Sequence, residues 1–229
     1  MQTAKAPRKR ASARASADPK PALSEVAYLA LMRMLLTGEL APNEVVTERQ
    51  IALDLGLSRT PLREAVRRLE GERLLERQRT GALVVRALPV EEFMNILNVR
   101  RLIEGEAARL AAGRVPVAEL EVLKSRISEV AKLPDEAVTP EHSASDRDLH
   151  SLIAAASGNS VLRQMIEDLK TRTAMFRFGR LPQRRKTVCA EHLAIIDALM
   201  AGDAQGAQVA MQHHVDQVRL TLLARLGGH

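Results

Sequence analysis

Gly56 separates two short helical patterns, and the residues on either side of it constrain the fold more than any other feature of the chain. Before it, Thr47 suits a helix N-cap, and Ile51, Ala52 and Leu55 give the following helix an apolar side. After it, Ser58 is placed to cap a second helix. That helix carries Arg59, Arg63, Arg67 and Arg68 opposite a face of Leu62, Ala65, Val66 and Leu69. Two helices joined by a tight glycine turn, the second opening Ser-Arg-Thr, match the layout of a DNA-reading helix-turn-helix. Arginine near the start of such a helix suits guanine, because its planar fork matches the O6 and N7 acceptors. Arg59 and Arg63 lie one turn apart, so both can face a groove.

The flanking sequence extends the pattern. A helix is expected from Ser24, as cap, to Leu36, ended by Gly38, with Pro42 in the loop beyond. Leu74–Gln78 and Ala82–Arg86 read as two short strands around an Arg79-Thr80-Gly81 turn. Three helices and a hairpin make a winged helix over residues 23–88. Residues 1–22 are rich in Pro, Ala, Lys and Arg and read as a disordered basic arm. An organelle transit peptide has a similar composition, but the arm is the preferred reading.

Aromatic residues make up only 2% of the chain and tryptophan is absent, so its cores rest on Leu, Ile, Val, Ala and Met, which favours helices. From residue 89 to 229 the spacing predicts six helices and no strand, an all-α bundle. Charge divides in the same way. Residues 59–86 hold eight Arg against four Glu, a net of +4, whereas residues 90–229 hold eighteen charges of each sign. Positive charge is thus confined to the arm and the proposed reading head, the pattern of a DNA-binding domain joined to a neutral one. No apolar run approaches the roughly 20 residues of a membrane helix. The single cysteine, Cys189, reads as a small core residue, and its isolation fits a reducing cytoplasm.

Polar groups interrupt the apolar stripes of the second bundle. Asp146 and His150 are four apart and share a face with Ile153 and Ala154. His192 lies between Val188 and Ile195-Ile196, and His214 falls on the stripe through Ala207, Met211 and Val218, with His213 turned about 100° away. One aspartate and three histidines pointing inward would make a divalent metal site. Zn is the first choice, with Ni, Mn or Fe as alternatives, and hydrogen-bonded core histidines are the plainer reading. Arg100 lies on the Phe93–Ile96–Leu97–Ile103 stripe and should also point inward, where its fork would suit a carboxylate ligand or pair with Glu104.

The stretch SRTPLREAVRRLEGERLLERQRTGALV closely resembles the DNA-binding signature of the GntR family of bacterial transcription regulators. The resemblance implies operator contacts from Arg49, Arg59, Thr60 and Arg63, with the wing tip at Gly81 entering the minor groove. Arg79 and Thr80 depart from the residues common at that tip. Arg67, Arg68 and Arg77 read as phosphate-facing or solvated. DRDLHSLIAAASGN, AEHLAIIDAL and AMQHHV resemble the helical FCD ligand domain of the FadR subgroup, and six helices resemble its shorter, VanR-like branch. That resemblance implies a metal held by Asp146, His150, His192 and His214, and an effector acid at Arg100. Asn159 reads as a helix N-cap.

These features together predict a mostly α protein, a winged helix-turn-helix followed by a six-helix bundle. It would be a cytoplasmic homodimeric regulator, a repressor of metabolic genes, that binds a palindromic double-stranded operator and answers to a small carboxylic acid. A metal-dependent enzyme acting on such acids, or a DNA-binding protein with no effector, are the alternatives.

Overall fold

The computed structural model describes residues 22–134, 140–174 and 184–227. Of the basic arm expected over residues 1–22, all but Ala22 lies outside them. In the first part, α1 (Leu23–Thr37), β1 (Val45–Val46), α2 (Glu48–Asp54), α3 (Arg59–Gly71), β2 (Leu75–Arg77) and β3 (Leu83–Val85) follow in order. The three strands form an antiparallel sheet in the order β1-β3-β2. The sequence did not reveal β1. Its two valines pair with Val84 and Leu83 across twenty helical residues and strand β2, a long-range pairing that two residues cannot announce by periodicity.

Gly56 has φ 63°, a left-handed conformation that glycine adopts without a Cβ penalty, and this turns α2 into α3. Ser58 occupies the N-cap of α3 in extended geometry but makes no side-chain capping bond, and Thr47 behaves likewise at α2. Helix α1 begins at Leu23 after Ala22, so Ser24 lies within its first turn rather than at its cap. Packing carries these short helices instead. Ala27, Leu31, Leu62, Val66, Leu69, Leu75 and Val85 share one buried core between α1, α3 and the sheet. Removing each large aliphatic of this kind from water contributes about 1.5–3 kcal/mol.

The second part comprises α4 (Val90–Ala111), α5 (Val117–Lys132), α6 (Pro140–Ala156), α7 (Ser160–Ala174), α8 (Arg185–Met200) and α9 (Ala204–Gly227). The sequence extended α7 to Arg180, and residues 175–180 lie outside the described residues. Asn159 caps α7 as expected, its Oδ1 accepting from Val161 N at 3.1 Å and Leu162 N at 3.0 Å. A separate apolar core, including Leu97, Leu120, Leu149, Ile153, Ile195, Ile196 and Met211, fills the bundle. Cys189 is buried within it. Helix α4 runs against α9, and Gly105 permits their close approach. A Cβ there would lie 2.8 Å from Gln212 Cγ. This contact sets Arg100 and Glu104 of α4 opposite the histidines of the other helices. Among the described residues, no helix is long and apolar enough to cross a membrane.

Candidate DNA-reading face and metal centre

Helix α3 buries Pro61, Leu62, Ala65, Val66 and Leu69, which leaves Arg59, Thr60 and Arg63 exposed on the opposite side. Arg49 of α2 joins Arg59 and Arg63 around a cleft that also includes Glu48 and Leu62. Glu48 lies 3.6 Å from Arg63 Nε, a loose contact at a largely exposed guanidinium. Arg63 keeps most of its solvation and Glu48 keeps Arg77 as a partner, so Arg63 can leave Glu48 for a phosphate or base edge at little cost.

Arg77 and Arg68 are exposed, in line with the solvated reading, but each also makes ion pairs that the sequence did not show. Arg77 Nη2 donates to Glu48 Oε1 at 3.0 Å, its Nε lies 3.3 Å from Glu70, and its Nη1 donates to the carbonyl of Gly81 at 3.2 Å. One guanidinium therefore ties α2, α3 and the wing turn together, using the several fixed N–H directions that only arginine offers. The turn is closed by Gly81 N donating to Gln78 O at 2.8 Å. Arg68 packs 3.5 Å above the Tyr28 ring and pairs with Glu25 and Glu72. Tyr28 in turn donates to Glu72 at 2.9 Å. Both arginines hold the reading head together.

In the second bundle, Asp146 and His150 from α6, His192 from α8 and His214 from α9 each offer one ligand atom, and all four atoms lie within 4.8 Å of one another. The three histidines are buried, whereas Asp146 retains 34% of its side-chain exposure. Ligand atoms about 2.0–2.1 Å from one zinc lie no more than about 4.2 Å apart, so loading would contract this set slightly.

Two carboxylates orient the rings. Glu104 of α4 binds His150 Nδ1 through Oε2, and Glu191 of α8 binds His214 Nδ1 at 2.8 Å. A carboxylate only accepts, so each Nδ1 donates and each Nε2 keeps its lone pair. The Nε2 atoms of His150 and His192 are buried without a hydrogen-bond partner, 3.5 Å and 3.4 Å from Asp146 Oδ1. Orphaned ring nitrogens of this kind are costly unless something electrophilic fills the space between them. Burial pushes His192 and His214 below the ordinary histidine range, which keeps them in the neutral form a metal requires. The donor set therefore fits a divalent cation.

Charged groups on the next helices complete the site. Arg100 is buried, as its stripe predicted. Its Nε donates to Glu104 Oε1 at 2.5 Å and its Nη1 to Thr173 Oγ1 of α7 at 2.9 Å. Arg101 points elsewhere and pairs with Asp216. Lys170 of α7 donates to Asp146 Oδ2 at 2.9 Å. Burial opposes ionisation of both acids, yet Arg100 and His150 hold Glu104 well below the usual carboxylate range, and Lys170 and His150 do the same for Asp146. The sequence named Arg100 but missed Glu191, Lys170 and Thr173. Glu191 shares its helical row with Ile195 and Leu199, and Lys170 and Thr173 lie four and seven residues beyond Ile166, so a polar residue on an apolar row was the available signal.

The fold and site define a two-part protein, a winged-helix DNA reader joined to an all-helical bundle with a metal-ligand cluster. Residues 23–85 match the model of the bacterial regulatory proteins of the gntR family, and residues 95–217 match the FCD domain model. The chain is 31% identical over 208 residues to the putative L-lactate dehydrogenase operon regulatory protein of Escherichia coli K12, covering 80% of this chain and 79% of that protein. It is 34% identical over 184 residues to the probable D-xylose utilization operon transcriptional repressor of Paenarthrobacter nicotinovorans, with 78% and 79% covered. The solved structure of E. coli McbR/YncC shares the fold, with a TM-score of 0.77 at 22% identity, over 91% of this chain and all of that one. The chain belongs to the GntR family, in its FCD-containing branch, and is a transcriptional regulator of that type.

Proposed function

We propose that this regulator is a metal-dependent sensor of a small carboxylic acid and represses metabolic genes from a palindromic operator as a homodimer. The observation that supports this most is the convergence of Asp146, His150, His192 and His214 beside Arg100 and Lys170. These four residues would hold the metal, with Zn the first choice and Ni, Mn or Fe accommodated by the same donors. The bound ion would supply a Lewis-acidic position for an oxygen of the acid. Arg100, steadied by Glu104 and Thr173, would receive the acid's carboxylate. Arg49, Arg59, Thr60 and Arg63 would contact the operator, with the wing at Gly81 reaching the minor groove. The relatives' names support a metabolic target, since one is a probable repressor of xylose utilisation and the other a putative regulator of a lactate dehydrogenase operon. The acid changes DNA affinity by binding one arrangement of the two reading heads better than the other.

The test uses labelled DNA from upstream of the protein's own gene, titrated with the full chain by fluorescence anisotropy. A panel of small carboxylic acids is added to zinc-loaded and chelator-treated protein. One acid is expected to shift the apparent Kd by about 5–150-fold, and only with metal present. A panel with no shift removes the effector role, and a shift indifferent to chelator removes the metal from it. Conversion of an acid to product would identify the site as an enzyme's.

A further inference from the structure

The charges at this site follow a simple count. Arg100 pairs with Glu104 at 2.5 Å, and Lys170 pairs with Asp146 at 2.9 Å. The three histidines contribute nothing, because an imidazole that offers its lone pair to a metal is neutral. Glu191 is matched by Arg184, 2.5 Å away, and that pair cancels as well. With the histidines in the neutral form a metal requires, the three named acid–base pairs carry no net charge. The four charges of the two central pairs also act on one another. Lys170 and Arg100 both bear on Glu104, and Arg100 and Glu104 both bear on Lys170.

A divalent cation added beside these balanced pairs leaves two positive charges in a largely buried space, and uncompensated charge is costly there. Two cations from different helices border the metal-ligand cluster. Arg100 extends from α4 and Lys170 from α7, with the Thr173 hydroxyl one turn beyond Lys170. We infer that the site takes a doubly charged anion of the dicarboxylate type rather than a simple monocarboxylate, with Lys170 as the residue that selects the second charge. One carboxylate meets the metal and Arg100. The other meets Lys170, whose ammonium has three donors and spends one on Asp146. This inference rests on the metal-dependent acid reading above and narrows it to a ligand class.

The probes are succinate and succinamate, which match in size and differ by one charge, measured by calorimetry on the zinc-loaded full chain. Succinate is expected to bind roughly tenfold or more tightly, since it alone cancels both charges. Chelator-treated protein should lose that preference, because the two charges of the ion are gone. Lys170→Met should lose it too, with zinc content checked by elemental analysis, while Lys170→Arg should retain it. Equal affinity for the two probes in zinc-loaded protein would overturn the dianion inference and leave an acid sensor standing. A panel acid that shifts DNA binding while carrying one charge, with succinate inert, would do the same. If no acid of either charge binds, the acid-sensor reading itself fails.

Discussion

Glu191 Oε2 accepts a hydrogen bond from Nδ1 of His214 at 2.8 Å, with both side chains at least 95% buried. The bond fixes which nitrogen of His214 faces the other ligand atoms, and Arg184 holds the other carboxylate oxygen at 2.5 Å. Partners of this kind raise ligand basicity and lock ring orientation. Glu191→Gln should therefore lower zinc affinity about 10–100-fold. Competition with a chromogenic chelator measures it, and an unchanged affinity would detach Glu191 from the site.

Arg77 predicts a separation between base reading and wing placement. Arg59→Ala or Arg63→Ala should cost about 1–3 kcal/mol in operator binding and relax base preference. Arg77→Lys keeps the charge but cannot hold Glu48, Glu70 and the Gly81 carbonyl together. It should weaken operator binding while leaving the salt dependence on random DNA nearly unchanged. A full rescue by lysine would show that Arg77 acts through charge alone.

Tyr28 is the only tyrosine and the chain has no tryptophan, so its phenolate absorbance reports one residue. Burial and the bond to Glu72 push this phenol up to about 12. The neutral form is the one stabilised, so its contribution is complete below the ordinary value of about 10 and is lost as pH rises through the folded value. Alkaline titration should show the phenolate band only well above pH 10, and Glu72→Ala should lower the midpoint. An unmoved midpoint in that variant would leave burial as the whole cause.

Glu92 stands at the start of α4 between two arginines. Arg86, just past the wing strand β3, reaches its Oε2 at 2.5 Å, and Arg172 of α7 binds its Oε1. Helix α7 also carries Lys170 and Thr173, so a shift at the candidate metal site has a polar connection to the end of the wing. Coupling through such a network is expected to be worth about 0.5–2 kcal/mol. Glu92→Gln should reduce the effect of the acid on DNA affinity while leaving calorimetric binding of the acid unchanged. Loss of acid binding itself would place Glu92 in the binding site's support.

The reading head was legible because its determinants are local. A left-handed glycine, an apolar row every three or four residues and arginines on the other side are contained in one short stretch, and Arg59, Thr60 and Arg63 emerge on the exposed face. Asp146, His150, His192, His214 and Arg100 were legible for a related reason, since each interrupts an apolar row and burial of a polar group calls for a partner. Which partner was a matter for the tertiary structure. Glu104 stands 46 residues from His150, Glu191 stands 23 from His214, and Lys170 stands 24 from Asp146. Those pairs depend on how α4, α6, α7, α8 and α9 cross, beginning with the approach that Gly105 allows. Helical periodicity fixes the direction of a side chain from its own axis, but only packing decides what it meets there.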